Sequence, residues 1–460
     1  MESPMNERPM KENKMGVMPV GKLLVNMALP MIISMMVQAL YNVVDSIYVS
    51  RISESAVTAL SLAFPVQNLQ VGFAVGVGVG VNSLLSKSLG QKNQEQANYT
   101  AGNGMVLMLL GAAAFFLFGL FVVRPYYEIQ STVRETVEGG IIYTRICSLL
   151  IVGQFMQILG ERLLQSTGRT VHSMIGQATG AITNIVLDPV FIFGVPALGI
   201  PAMGIAGAAV ATVIGQFVGA AIVWYFNFRQ NPDVHLAFRY LRLHKDVVGS
   251  ILTVGIPSIV MNSIGSLMNF GMNQILQGFQ ETATGVFGIY FKLQSFFFMP
   301  LFGLNNATIS VIAFNYGARN PERMVKTQKL SSGAAMTMMV IGLLVFQMMP
   351  QLLLGMFNPS DEFLRIGCVA LRTISLSFPL ASIAISLGAG FQALGNGVYS
   401  TIVSICRQML VLLPVAWLMS LTGEVNNVWW AFPIAEVISA GATLLLYARI
   451  YKAKIKPLFE

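Results

Sequence analysis

Apolar stretches long enough to cross a hydrocarbon layer recur along the whole 460-residue chain, and no other feature narrows the choice of fold so far. Lipid offers no partner to a backbone N–H or C=O, so a spanning segment must be a helix of about 20 apolar residues or a strand of a closed barrel. Barrel strands alternate apolar and polar residues over about 10 positions. Runs such as Met105 to Val123 and Met336 to Met349 are apolar all round instead, which predicts an all-α membrane protein. Charged residues make up only 10% of the chain, against roughly a quarter in soluble domains. Reading the apolar runs between polar breaks predicts twelve spans, near 22–50, 56–86, 95–123, 136–163, 170–193, 203–228, 246–277, 283–313, 322–349, 361–392, 397–420 and 428–451.

The first apolar run continues past Leu40, longer than the 7–15 residues of a signal-peptide core, so the polar segment 1–21 is expected to be retained. Basic residues fall on alternate loops. Arg8, Lys11, Lys14, Lys22, Lys87, Lys92, Arg162 and Arg169 share one side with Arg229, Arg239, Arg242 and Lys245. Arg319, Arg323, Lys326, Lys329 and the tail Arg449, Lys452, Lys454 and Lys456 join them. The other side holds little more than Arg51, Arg124, Arg134 and Arg365. The positive-inside rule then predicts a multi-pass protein of the cell (inner, cytoplasmic) membrane with both termini in the cytoplasm. It also accounts for the net charge of +8 without a nucleic-acid partner. Cys147, Cys368 and Cys406 lie within apolar segments with no CxxC spacing, so they read as small hydrophobes and not as disulfide partners.

The two halves of the chain align without a gap at an offset of 227. Pro30 pairs with Pro257, Asn42 with Asn269, Gly76 with Gly303, Gly90 with Gly317, Glu95 with Glu322, Arg145 with Arg372, and Gly168 with Gly395. Six spans per half is an even number, so both copies should run the same way through the membrane, related by an axis along its normal with a cleft between them. The expected organisation is a cytoplasmic tail 1–21, a first lobe 22–228, a cytoplasmic linker 229–245, a second lobe 246–451 and a cytoplasmic tail 452–460.

A charge at mid-membrane costs about 2.5–3.5 kcal/mol on insertion scales, so each one needs a partner, a wet cavity or a task. Gln38, Asn42 and Asp45 share one face of span 1, and Gln177, Asn184 and Asp188 share one face of span 5. Asp45 lies six residues before Arg51 and Asp188 six before Gly194, which sets both acids at one depth. Carboxylates and carboxamides converging there could ligate Na⁺ through oxygens or hold a proton. The alternative is that both acids only satisfy free backbone groups near helix ends. The second half lacks these acids, because Met272 and Val415 occupy the equivalent positions, so cation binding is expected in the first lobe.

The face of span 7 carrying Asn262, Ser266, Asn269 and Asn273 is polar but neutral, fit for a hydrated cavity or for helix-to-helix hydrogen bonds. Met272, Phe287, Tyr290 and Met299 are candidates for a substrate-cavity wall, with core packing as the alternative. Lys292 and Glu436 lie at similar depths and are expected to pair, leaving Arg372 and Arg407 as deeper cations. Glu161, beside Arg162, is either a solvated or paired residue or support for the site. Gly72, Gly76 and Gly80 predict close helix approach in span 2. His172, His235 and His244 form no ligand motif, and neither GxSxG nor a P-loop occurs, so no enzyme chemistry is expected.

YNVVDSIYVSRI from Tyr41, the ALP ending at Pro30, LLQSTGRT from Leu163 and NIVLDPVFIF from Asn184 resemble the multidrug and toxic compound extrusion (MATE) family over essentially the whole chain. Glu161 with Asp188, together with the Met-rich composition, is most similar to its MepA-like bacterial branch. The resemblance implies a V-shaped fold of two six-helix lobes, as in the wider superfamily of flippases. It also implies export of cationic and polyaromatic drug-like molecules driven by H⁺ or Na⁺ entry, with no other cofactor. Asp45, Asn184 and Asp188 are the positions onto which the family's cation site maps. Membrane lipids are the remaining partners expected of a chain working as a monomer. A lipid-linked oligosaccharide flippase is the alternative; it would call for a cationic cavity, for which Lys292, Arg372 and Arg407 are the candidates.

Overall fold

The structure is a computed structural model that describes residues 13–279, 281–357 and 360–460; Arg8 and Lys11 of the basic cluster lie outside them. A short helix α1 (Lys14–Val17) precedes the first lobe. That lobe comprises α2 (Val20–Ser50), α3 (Glu54–Gly90), α4 (Gln94–Phe121), α5 (Val123–Gln130), α6 (Arg134–Leu149), α7 (Val152–Ser166), α8 (Thr170–Phe193) and α9 (Ile205–Gln230). The second lobe comprises α10 (Lys245–Gln277), α11 (Glu281–Gly317), α12 (Pro321–Met348), α13 (Pro350–Gly355), α14 (Asp361–Ser375), α15 (Phe378–Ala393), α16 (Gly397–Ile405), α17 (Leu413–Ser420), α18 (Val425–Val428) and α19 (Ala431–Ile450). Among the described residues, ten stretches are long and apolar enough to span, and two bent pairs, each counted as one span, bring the total to twelve.

The internal repeat governs helix ends as well as residues. Adding 227 to the bounds of α3 gives those of α11, and adding it to α4 gives α12. The bent pairs correspond too: α6 and α7 meet at 48°, α14 and α15 at 46°. In the second break Pro379 enters α15 without an N–H to donate.

At 37 residues each, α3 and α11 reach about 55 Å, well beyond a hydrocarbon layer of about 30 Å. Their C-terminal halves cross where the lobes meet, while α2 packs on α11 and α3 on α10. Glycines make this approach possible, as the spacing of Gly72, Gly76 and Gly80 predicts. A Cβ on Gly76 would run into Ile259, and one on Gly80 into the Ile251 carbonyl. The contacts obey the repeat. Gly303 abuts Ile32 as Gly76 abuts Ile259, and Gly317 abuts Lys87 as Gly90 abuts Phe314.

Candidate functional site

Site geometry in the first lobe starts from small residues. A Cβ on Gly215 of α9 would lie 2.7 Å from the Gly180 carbonyl and 3.0 Å from Asn184 Cβ, so α8 and α9 touch almost backbone to backbone. This places the buried Asn184 amide between two partners. Oriented to satisfy both, its nitrogen donates to Asp188 Oδ2 at 3.1 Å while its oxygen accepts from the Thr212 hydroxyl at 3.2 Å and the Thr212 N–H at 2.9 Å. Asp188 is fully buried. Across from it on α2, Asp45 stands within electrostatic reach, with Oδ1 buried and lacking any hydrogen-bond partner. Tyr41 lies near both acids and against Thr212. Farther along the same stripes Gln177 donates to Gln38 Oε1 at 2.9 Å. The Asn42 side chain lies outside the described residues.

Sequence reasoning missed Thr212 and Tyr41. Tyr41 was legible in principle, one turn before Asp45 on the same face. Thr212 stands in a helix of Gly, Ala and Val residues with no polar stripe to mark it. The site thus holds two carboxylates within electrostatic reach of each other, one of them with an unused oxygen, beside the neutral oxygens of Asn184, Thr212 and Tyr41. Two like charges buried together are costly unless a positive species joins them. The donors are all hard oxygens, suited to a proton or an alkali cation.

Glu161, on α7, is buried and accepts from Gln157 at 3.0 Å. Arg162, buried beside it, turns to Gln165 at 3.0 Å, and Gln165 bonds Ser173. The solvated face considered for Glu161 is therefore not what forms.

The second lobe corrects several expectations. Glu436 pairs with Arg407 at 3.1 Å, not with Lys292, which is exposed on α11. Arg372 is exposed and donates to the Gln347 carbonyl at 3.3 Å. Met272, Phe287 and Tyr290 are interior packing in this conformation. Phe287 stacks on Tyr290 at 6.1 Å and lies parallel to Trp429 at 6.5 Å, so the rings satisfy one another and line no open cavity. Met299 and Asn273 are half-buried. Asn262 and Asn269 donate to carbonyls one turn back in α10, and Ser266 receives Asn68 of the first lobe at 3.5 Å.

The lobes close at the end where α3 and α11 finish. Ser310 and Ser166 both donate to Asn82 Oδ1, at 3.0 and 2.8 Å. Ser83 donates to the Gln392 carbonyl at 2.8 Å, and the Lys87 ammonium sits 5.5 Å above the Tyr316 ring.

Among the described residues, up to twelve spans in two lobes related by the repeat, shut at one end and carrying in one lobe an acid pair of which Asp188 is fully buried, define a two-lobe membrane transporter. The chain belongs to the MatE family, whose model matches residues 30–190 and again 257–418, the second match beginning 227 residues after the first. It is 25% identical to the FAD transporter of Shewanella oneidensis over 94% of this chain and 95% of that one. It is also 25% identical to the multidrug export protein MepA of Staphylococcus aureus over 93% of each. A solved structure described as the outward-facing conformation of a multidrug resistance MATE family transporter superposes with a TM-score of 0.90 at 25% identity, covering 98% of this chain and 99% of that one.

Proposed function

We propose that this transporter is a secondary active antiporter of the cell membrane that exports amphipathic, cationic or polyaromatic compounds in exchange for H⁺ or Na⁺. The observation that carries the reading is the Asp45 carboxylate oxygen left without a partner in a buried pocket, within electrostatic reach of Asp188. Entry of one monovalent cation halves the charge of the pair and relieves its repulsion, and Asn184 and Thr212 hold Asp188 in place to receive it. The lobes 22–228 and 246–451 rock as bodies about the linker 229–245, with both tails on the cytoplasmic side. By reciprocity, a bound drug must weaken cation binding by the factor with which the cation weakens drug binding.

Counterflow in proteoliposomes with an imposed Na⁺ or pH gradient, one at a time, separates the two ions. Ethidium should move against one gradient, and Asp45→Asn and Asp188→Asn should abolish that coupling. Full coupling in both variants would end the assignment. FAD is a useful second probe, because its diphosphate calls for unpaired cations. Arg407 is already paired with Glu436, and Lys292 and Arg372 are exposed. With Arg407 withdrawn into that ion pair, ethidium transport exceeding FAD transport is the expected result, and lipid scrambling by the purified protein would mark a lipid-linked oligosaccharide flippase instead.

A further inference from the structure

The N-terminal segment crosses the closed end of the molecule and holds both lobes. On the first-lobe side Asn13 donates to the Thr167 carbonyl at 3.3 Å and the Lys14 ammonium to Asn26 Oδ1 at 2.8 Å. Lys14 and Met15 also fill the space above Gly168. On the second-lobe side the attachment converges on one residue of α12. Arg323 donates through Nη2 to the Met15 carbonyl at 2.9 Å and to the Met18 carbonyl at 2.7 Å, while its Nε donates to Asn315 Oδ1 at 3.1 Å. Asn315 in turn donates to the Met15 carbonyl at 3.3 Å. Met15 is fully buried, and Gly16 lies against the Phe314 ring.

From this arrangement we propose that residues 13–18 are a latch across the closed mouth and that Arg323 is its positioning residue, whose release from the Met15 and Met18 carbonyls must precede opening of that end. The inference rests on the alternating-access reading above. Chain connectivity decides which side lets go. The segment runs directly into α2, and two of its polar contacts are to first-lobe residues, Asn26 and Thr167. It therefore travels with the first lobe, and the Arg323, Asn315 and Phe314 contacts are the ones that part. A guanidinium suits this task because its rigid fork binds two carbonyls and an amide together, so the contact is made or lost as a unit.

Two measurements on the full-length protein test the latch, both with Cys147, Cys368 and Cys406 replaced by Ala. In the first, Ser83→Cys reports on the closed mouth through its alkylation rate by a membrane-impermeant maleimide in inside-out vesicles. Arg323→Ala should raise that rate about ten-fold, the effect of weakening closure by about 1.4 kcal/mol, with Arg323→Lys intermediate. An unchanged rate in Arg323→Ala overturns the proposal. In the second, Gly16→Cys with Phe314→Cys is joined by a short bis-maleimide, which adds one thiolate at each end, and Lys14→Cys with Asn26→Cys serves as the same-lobe control. Ethidium efflux should stop on cross-linking the first pair and persist in the second. Wild-type efflux from the first pair refutes the latch even if Arg323→Ala fails to fold. Absence of any efflux from the uncross-linked parent would instead count against the antiport reading, while the alkylation rates still report on the latch.

Discussion

Asp45, Asn184 and Asp188 of the first lobe have Met272, Val411 and Val415 as counterparts in the second, and Thr212 has Ser439. The helices that carry the first three end at matching positions, yet one site is acidic and its counterpart is apolar. Packing explains why the chemistry did not simply move across. Gly180 lets α8 press on Gly215 and brings Asn184 to Thr212. Arg407 occupies the equivalent of Gly180, too large for that approach, and its helix widens there into a π-helical segment, Cys406–Leu412. Pro414, which cannot donate an N–H, follows two residues later. Arg407 is answered by Glu436, at the counterpart of Ala209. Each lobe thus leaves one carboxylate oxygen buried without a hydrogen-bond partner, Asp45 Oδ1 and Glu436 Oε2, but only Glu436 is neutralised by an arginine of its own lobe. Duplicated architecture does not duplicate function when facing glycines, Gly180 and Gly215 here against Arg407 and Ala442 in the second lobe, decide how close two helices come.

Asp188→Asn and Asp45→Asn should lower gradient-driven ethidium efflux by about 100-fold, near the top of the range of coupling free energies; vesicle flux under a fixed gradient measures this. Placing an acid in the apolar counterpart of Asp45, the fully buried Met272, as Met272→Asp, should destabilise the protein by about 3–5 kcal/mol through an unpaired buried charge, seen as a fall in thermal midpoint of the purified protein. Stability close to the parent would mean that the second lobe is wetter than its packing implies.

Glu436→Ala should destabilise by a similar amount, about 3–5 kcal/mol, because it strands Arg407. Replacing both residues by Leu should recover most of the loss, with ion coupling unchanged in either case. A change in ion coupling in the double variant would give the second lobe a role that its closed pair does not suggest. Thr212→Val removes the hydroxyl that donates to Asn184 and should cost about 1–3 kcal/mol, with Thr212→Ser close to the parent in both melting and flux. Lys292→Ala, at an exposed position, should shift stability by no more than about 0.5 kcal/mol.

Much of the architecture was legible in one dimension. The twelve spans follow from apolar runs that lipid forces into helices, and the two-lobe arrangement follows from the offset of 227. The polar stripes on spans 1 and 5 located Asp45, Asn184 and Asp188 because helical periodicity sets which residues share a face. Partner choice was not legible. Lys292 and Arg407 both lie in spans adjoining Glu436, and only packing points one outward and the other inward. Phe287 and Tyr290 look alike in sequence whether they line a cavity or fill a core, and their neighbours Trp429 and Phe432, more than 130 residues away, settle the matter.

What this sequence determined by itself is local and periodic: helix or not, which face is polar, which half repeats which, and where the acids lie along their helices. These follow from the backbone's need for hydrogen bonds in lipid and from the pitch of a helix. Only the tertiary structure decided that Asn184 meets Thr212, that Glu436 belongs to Arg407, and that the chain's own N-terminal segment reaches across to Arg323. Each of those contacts depends on how closely two distant helices can approach, and that distance is set by three-dimensional packing at residues such as Gly180 and Gly215.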